Sequence, residues 1–184
     1  MEPKALYNSV DAATVIPDDF EVPFGKARIR RQGKDLSIIT YGNTTLFSLA
    51  VAERLAKDGW DVEVMDLRSL VPLDKEAIFE SVKKTNKVLV VHEDKVFSGF
   101  GAEVAAMIGS EMFQHLDAPV QRVGSTFTPV GFNPILEKAV LPGEDRIYEA
   151  AKKIIGILNN QNILYNEKNR IILRHKYSKD SNNS

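Results

Sequence analysis

The sequence predicts a three-layer α/β/α protein in which a mostly parallel sheet is covered by helices on both faces. Short β-rich runs alternate with longer segments of helical periodicity between residues 36 and 158, and this alternation is typical of parallel strands joined by right-handed crossovers. The composition, 43% hydrophobic and 27% charged over 184 residues, fits one globular domain with appendages.

Each predicted strand is a short segment that contains apolar and β-branched residues. The strands are expected at residues 36–40, 62–67, 88–91 and 120–123. The third run contains no polar residue, which is typical of a central strand buried on both faces. Glu63 and Asp66 interrupt the second run, so we expect one of its faces or its ends to meet water.

Helices are predicted between and after these strands. The first is capped by Thr44 or Thr45 and stops at Gly59, since a threonine hydroxyl can cap a helix and glycine tolerates the conformation that ends one. Its predicted apolar face consists of Phe47, Ala50, Val51 and Leu55. Asp74 opens the second helix, and the third follows Gly99-Phe100-Gly101. The last helix has the cleanest apolar periodicity, with Ile147, Ala150, Ala151, Ile154, Ile155 and Leu158 on one stripe.

Composition divides the chain into residues 1–21, 22–158 and 159–184. The first part is a mixed, proline-containing segment, as expected of a linker along a surface. The last part carries five basic and two acidic side chains and many asparagines. We expect it to be a polar, basic, flexible tail, in which Ile171–Leu173 could form a short strand or a helical turn.

Charge and cysteine content exclude several classes of function. The net charge is −1 and there is no cysteine, so disulfides, thiolate metal sites and cysteine nucleophiles are excluded. The acidic body has no basic stripe, which argues against nucleic acid as a partner. No apolar run is long enough to span a bilayer. We expect a soluble intracellular protein.

Polar residues follow several of the predicted strands, at the edge where ligands of parallel sheets usually bind. These strand ends are Tyr41–Asn43, Arg68–Ser69, His92–Asp94 and Gly124–Ser125. His92, Glu93 and Asp94 could supply a general base with its orienting partner, or metal ligands together with a further residue. Adjacent residues of an extended segment point to opposite faces, however. We therefore favour structural or interface hydrogen bonds for this triplet.

The glycine-containing loop at residues 98–101 invites comparison with phosphate-binding loops. Backbone donors at a helix start attract anions, but the dinucleotide fingerprint requires a third glycine where this chain has Val104. We favour a tight turn that allows the helix to pack closely on the sheet. Ser98 and Asn43 remain candidate polar residues at this edge.

Several segments, in order, resemble one known family. They are Val22–Ala27, Leu36–Gly42, Val64–Asp74, His92–Asp94, Gly99–Glu103 and Leu116–Pro119. Together they closely resemble the C-terminal domain, of the transketolase C-terminal type, of the beta subunit or fused beta half of thiamine-diphosphate-dependent 2-oxo acid dehydrogenases of the pyruvate and branched-chain type. The resemblance covers about residues 22–158.

The resemblance implies an assembly and docking role rather than catalysis by this chain. It implies that residues 1–21 link to a pyrimidine-binding domain, and that thiamine diphosphate, magnesium and the catalytic residues of the parent enzyme lie upstream. This chain alone is then expected to bind no cofactor or metal. The implied partners are the alpha and beta parts of the decarboxylase, a second copy in a homodimer, and the subunit-binding domain of the dihydrolipoyl acyltransferase, which Asp117 would contact. The implied compartment is the bacterial cytoplasm or the mitochondrial matrix.

Two other interpretations remain open. The chain could be a free-standing small-molecule or nucleotide-binding α/β module that uses the edge around Asn43, His92, Asp94 and Ser98. It could also resemble the C-terminal domain of another thiamine-diphosphate enzyme, such as transketolase or deoxyxylulose-phosphate synthase. The sequence does not distinguish pyruvate, branched-chain 2-oxo acids and acetoin as the substrate of a parent enzyme.

Overall fold

A five-stranded, mostly parallel sheet forms the centre of the molecule. The computed structural model describes residue 15 and residues 17–156. The strands are β1 (Arg28–Arg31), β2 (Leu36–Thr40), β3 (Val62–Asp66), β4 (Val88–Lys95) and β5 (Gln121–Ser125). Their order is β1-β3-β2-β4-β5, and only β1, which pairs with β3, is antiparallel to its neighbour. The predicted sheet is confirmed, with β1 as an additional edge strand.

Helices cover both faces of the sheet, which confirms the three-layer architecture. They are α1 (Thr44–Lys57), α2 (Lys75–Thr85), α3 (Phe100–Glu111), the short α4 (Pro134–Val140) and α5, described over residues 144–156. The side chains of α1 and α5 share one apolar cluster, and those of α2 and α3 share the other. No helix among the described residues is long and apolar enough to cross a membrane.

Strand β4 shows why its sequence is uniformly apolar. Leu89 and Val91 belong to the cluster under α1 and α5, whereas Val88 and Val90 belong to the cluster under α2 and α3. Because successive side chains of a strand point to opposite faces, a strand that is covered twice needs apolar residues at every position. The expectation of a central strand buried on both faces is confirmed.

Glu63 shows that no face of β3 is wet at this position, whereas the expected contact with water holds at the end of the strand. This glutamate is fully buried, accepts a hydrogen bond of 2.6 Å from Ser81 and forms an ion pair with Lys84 of α2. Partners on α2 thus replace the water that its carboxylate would otherwise need. Asp66, at the end of the strand, keeps partial exposure, and burial raises the pKa of its carboxyl group.

The start of α1 differs from the predicted one. Asn43 occupies the cap position, with no hydrogen bond from its side chain to the helix. Thr44 lies one residue inside the helix, where its hydroxyl donates to the carbonyl of Tyr41 at 2.8 Å. Ala50, which was predicted to lie on the apolar face of α1, is exposed. Ala52 lies in the core instead. The second helix begins as predicted, because the Asp74 carboxylate accepts from the backbone of Ala77 at 3.2 Å.

Helix α4 was not predicted, because its seven residues show no apolar stripe. Val140 is the only one of them that is buried. The linker expected at residues 1–21 is described only at residues 15 and 17–21. The tail expected at residues 159–184 and the last residue of the predicted stripe, Leu158, lie outside the described residues.

Candidate functional site at the carboxyl edge of the sheet

The ends of β2, β4 and β5 meet at one edge, as the sequence predicts. Asn43 donates from Nδ2 to Oε1 of Glu93 at 3.3 Å, and Ser125 donates from its hydroxyl to the backbone carbonyl of Glu93. The rings of Tyr41 and His92 lie parallel, with their centroids 6.2 Å apart. These contacts tie the three strand ends into one rigid surface.

The fourth strand end does not join this surface. Arg68 donates from Nε to the carbonyl of Lys26 at 3.0 Å, and the hydroxyl of Ser69 donates to the carbonyl of Pro72 at 2.7 Å. Both side chains therefore hold the loop after β3 to neighbouring loops.

His92 is enclosed by three glycines. It has no exposed surface. A Cβ atom at Gly101 would lie 2.2 Å from its Cδ2 and Nε2 atoms, and Cβ atoms at Gly99 and Gly124 would lie 3.1 and 3.0 Å from its Cε1 atom. Contacts below 3 Å are not tolerated by a ring that cannot move. The glycines at the start of α3 and in β5 thus provide the room for the imidazole, which supports the interpretation of residues 98–101 as a packing turn.

The imidazole of His92 is neutral and has no hydrogen-bond partner among the described residues at either ring nitrogen. Burial lowers its pKa, and the nearby Asp94 carboxylate opposes this only partly. Burial and the carboxylates of Asp94 and Glu93 raise the pKa of Tyr41 to about 12, so its phenol stays protonated. Neither ring carries charge at neutral pH.

The triplet His92, Glu93 and Asp94 does not converge on one point. His92 points into the interior, Glu93 is half-buried against Asn43, and Asp94 is exposed. Without a shared target, the three cannot act as a base with its orienting partner. No group of three or more histidines and carboxylates in the described part of the chain could hold a metal ion.

Ser98 lies in the turn before α3 and is exposed. Its φ angle is +63°, a conformation that side chains rarely adopt outside tight turns. Gly99 follows it as the cap residue of α3. A side chain at Gly99 would come within 2.1 Å of the carbonyl oxygen of Lys95, so this turn is shaped by close backbone packing.

A groove beside Asp117 runs between α3 and β5. We call it the Asp117 groove; its volume is about 610 Å³, and it is lined by Ala102, Ala105, Ala106, Gly109, Phe113, Leu116, Asp117, Ala118, Pro119, Val120 and Arg122. The backbone N–H of Asp117 donates to the carbonyl of Asn86 at 2.8 Å. Its side chain is 45% exposed, and Oδ2 lies 4.0 Å from Nζ of Lys87. The backbone of Asp117 is thus held in place, while its carboxylate is open to a partner.

Sequence reasoning missed an apolar surface at the carboxyl edge. We call residues 126–140 the edge arm. Its large apolar residues are exposed, namely Phe127, Val130, Phe132, Ile135 and Leu136. Phe97 packs edge-on against Phe127, with ring centroids 4.9 Å apart. The dense cluster of apolar residues at 127–136 was the available signal, but no periodicity distinguishes it from a buried segment.

Comparison with known proteins finds one matching family. The family described as transketolase, C-terminal domain, matches residues 25–147. The pyruvate dehydrogenase E1 component subunit beta of Rickettsia felis is 41% identical over 140 residues, which are 76% of this chain and 43% of that protein. The 2-oxoisovalerate dehydrogenase subunit beta of Bacillus subtilis is 42% identical over 138 residues, 74% of this chain and 42% of that protein.

Two other proteins are also similar to this chain. The acetoin:2,6-dichlorophenolindophenol oxidoreductase subunit beta of Bacillus subtilis is 36% identical over 156 residues, 84% of this chain and 45% of that protein. A split gene transketolase, solved as an inactive beta4 tetramer, is 29% identical with a TM-score of 0.65 and covers 78% of this chain and 46% of its own. The chain therefore spans less than half the length of these relatives.

Proposed function

This chain belongs to the transketolase C-terminal domain family, and we propose that it serves as the assembly and partner-docking domain of the decarboxylating component of a 2-oxo acid dehydrogenase complex. Three beta subunits of dehydrogenases or oxidoreductases are between 36% and 42% identical to it. The parent enzyme would use thiamine diphosphate and magnesium, which this chain alone would not bind. The pattern of its surface supports this role better than catalysis.

The observation that carries the proposal is the edge arm. Five large apolar side chains are exposed within these fifteen residues, and large exposed apolar patches usually mark interaction sites. Phe132 is fully exposed and Ile135 is 79% exposed. We assign this surface to association with a second copy and with the other parts of the decarboxylase. Glu93, Asp94, Ser98 and Asn43 lie at the same edge and would contribute polar contacts, with His92 supporting them from within.

Asp117 is proposed as the contact for the basic subunit-binding domain of the dihydrolipoyl acyltransferase. Its carboxylate is accessible and held only loosely by Lys87, at 4.0 Å. A partner arginine or lysine could therefore form a shorter, charge-assisted hydrogen bond. Exposed ion pairs at the rim of an interface are sensitive to salt, so this docking should weaken as ionic strength rises.

Association through the edge arm can be tested in the full chain by analytical ultracentrifugation. Phe132→Ser should weaken self-association at least 10-fold, because it removes an exposed aromatic ring from the interface. Phe24→Ser is the matched control, since Phe24 is 90% exposed but lies outside the arm. A monomeric wild-type chain at all concentrations, or an equal effect of both substitutions, would exclude the arm as the homodimer interface.

Docking can be tested by calorimetric titration with the isolated subunit-binding domain of an acyltransferase. Asp117→Asn should reduce the affinity about 10-fold at low salt, as expected for one charged contact. Asp145→Asn is the control, because this exposed carboxylate pairs with Arg54 away from the groove. Unchanged affinity on substitution of Asp117 would remove that residue from the docking surface. Decarboxylation of a 2-oxo acid by the purified chain supplied with thiamine diphosphate and magnesium would contradict the proposal as a whole.

A second candidate function has one supporting observation. A groove of about 620 Å³ lies beside Asn43 and Glu93 and is bordered by α4 and the start of α5, at the edge where α/β proteins usually bind ligands. It favours the free-standing small-molecule module. In a thermal-shift screen with nucleotides and 2-oxo acids, a ligand at 100 times its Kd should add about 2.7 kcal/mol to stability. No shift across the panel would count against this function.

A further inference from the structure

The outer edge of β5 is bonded to no strand among the described residues. It is the last strand in the sheet order and pairs only with β4. Alternate N–H and C=O groups on the far side of such a strand are available to another extended segment. The Asp117 groove lies on this side of the sheet, because Val120 and Arg122 line it together with α3.

The wall of the groove on α3 is made of small residues. Ala102, Ala105, Ala106 and Gly109 follow one another on one face of the helix. Phe113, which is 75% exposed, and Leu116 close one side with apolar surface. Such a channel has room for branched aliphatic side chains next to an open strand edge, which is the arrangement used when a peptide adds to a sheet.

We propose that residues 170–174 of this same chain occupy the Asp117 groove as a sixth strand along β5. Their sequence is Arg-Ile-Ile-Leu-Arg, a β-favouring apolar run between two cations. Alternation along a strand would direct Ile171 and Leu173 to the same face, towards the small residues of α3. Ile172 would face the opposite side of the sheet.

The length of the chain permits this contact. Gly156 is the last described residue, and the 14 steps from residue 156 to residue 170 span up to about 45 Å when extended. Ile154 and Ile155 of α5 share an apolar cluster with Ala118, which also lines the groove.

Charge at one end of the groove favours the same occupant. The Asp117 carboxylate, 4.0 Å from Lys87, can accept from an arginine that flanks the apolar run. Arg122 is the cation of the groove lining, but its guanidinium donates to the carbonyl of Val96 at 2.6 Å and is directed along the edge. A segment with cations at its ends and none at its centre fits this distribution.

A segment in this position would cover Asp117 and compete with any partner that docks there. That consequence rests on the proposed function, whereas the binding of residues 170–174 does not. The tail would then reduce the affinity for an acyltransferase domain without changing the contact itself.

Hydrogen exchange of the full 184-residue chain tests the added strand. In the wild type, the outward-facing amides of residues 120–124 should be protected. Replacing Ile171, Ile172 and Leu173 together by Ser should lower that protection at least 10-fold, because the new strand would lose its apolar anchors. The matched control replaces Ile163 and Leu164 by Ser and should leave it unchanged. Equal protection in all three proteins overturns the proposal. Protection that depends on protein concentration also overturns it, because it would indicate that a second copy of the chain covers β5.

The absence of cysteine from the sequence allows an independent test. Under mild oxidation, Ala106→Cys combined with Ile171→Cys should form an intrachain disulfide at least 10-fold faster than Glu53→Cys combined with Ile171→Cys. Ala106 and Glu53 are both exposed, and Glu53 lies on α1 on the opposite face of the sheet. Equal rates overturn the tail contact. They would leave the Asp117 docking test unaffected, so the two proposals can fail separately.

Discussion

The surroundings of His92 and the edge arm lie close together, but the first buries its aromatic ring and the second exposes its apolar side chains. His92 is wholly buried among three glycines. In the arm, Phe132 is wholly exposed and only Val140 of α4 is buried. The first region is completed by its own chain, whereas the second exposes the surface that a partner would cover. Stability and association should therefore respond to substitutions in different places.

Gly101→Ala should have the largest effect on stability. The new Cβ would lie 2.2 Å from the ring of His92, and the neighbouring glycines leave the ring no space to withdraw. Overpacking of this kind costs about 3 kcal/mol or more in a rigid interior. The free energy of unfolding in urea measures the loss.

Gly109→Ala is the control for this substitution, because it lies in the same helix and its Cβ would meet no atom within 4 Å. Alanine is the better helix former, so this variant should be more stable by up to about 1 kcal/mol. Equal destabilisation by both substitutions would show that His92 is not confined as described.

Lys84→Met should have the next largest effect. It removes the cation that pairs with the buried Glu63. Breaking a buried pair costs several kcal/mol, but Lys84 is 40% exposed, so solvent screens the pair and we expect about 2 kcal/mol. Lys83→Met, which breaks an exposed pair with Glu80, should cost less than about 0.5 kcal/mol. Similar losses for the two variants would mean that the burial of Glu63 carries no penalty.

Glu63 also shows where sequence patterns stop being informative. Apolar runs predicted β2, β3 and β4 because burial on both faces favours such runs, whereas the edge strand β5 contains Gln121 and Arg122. A charged residue within an apolar run normally indicates that this position is exposed to water. Only the three-dimensional contact with Lys84 shows that Glu63 forms a buried ion pair. The same limit applies to His92 and Gly101, which are nine positions apart. Their contact depends on how α3 packs on β4, and sequence spacing does not encode that.

The edge arm was missed for a related reason. Residues 127–136 contain enough apolar side chains for a core segment, and composition does not distinguish a segment that buries them from one that presents them. Asp117 could be named only through resemblance to a family, since its carboxylate stands alone next to Ala118 and Pro119. The accessibility of its carboxylate and the loose pairing with Lys87 become visible only in the three-dimensional structure.

Acidification should have a moderate effect, and it should act through His92. Burial lowers the pKa of His92 in the folded protein, while in the unfolded chain it is near 6.5. Between these values the unfolded state binds more protons, so stability falls as pH decreases. Stability should therefore fall between pH 7.5 and 5.5, by no more than the limit of about 1.4 kcal/mol per pH unit for one proton.

His92→Gln should flatten this pH dependence, even if it lowers stability at every pH. His115→Gln serves as the comparison, because His115 is exposed in a short 3-10 helix, and it should keep the wild-type slope. The Asp94 carboxylate raises the pKa of His92 and the Arg122 guanidinium lowers it. If the His92→Gln protein keeps the wild-type dependence of stability on pH, another group controls the response to acid.

Leu136→Ala should have the smallest effect on stability and gives the most direct comparison of the two regions. Leu136 is 56% exposed in the arm, whereas Leu55 of α1 is fully buried. The same change should cost less than about 0.5 kcal/mol at residue 136 and about 3 kcal/mol at residue 55. Both free energies are measured by urea unfolding at a concentration where the chain is monomeric. A cost above 1 kcal/mol at residue 136 would mean that the arm packs on its own domain, and the case for a partner at this surface would then fail.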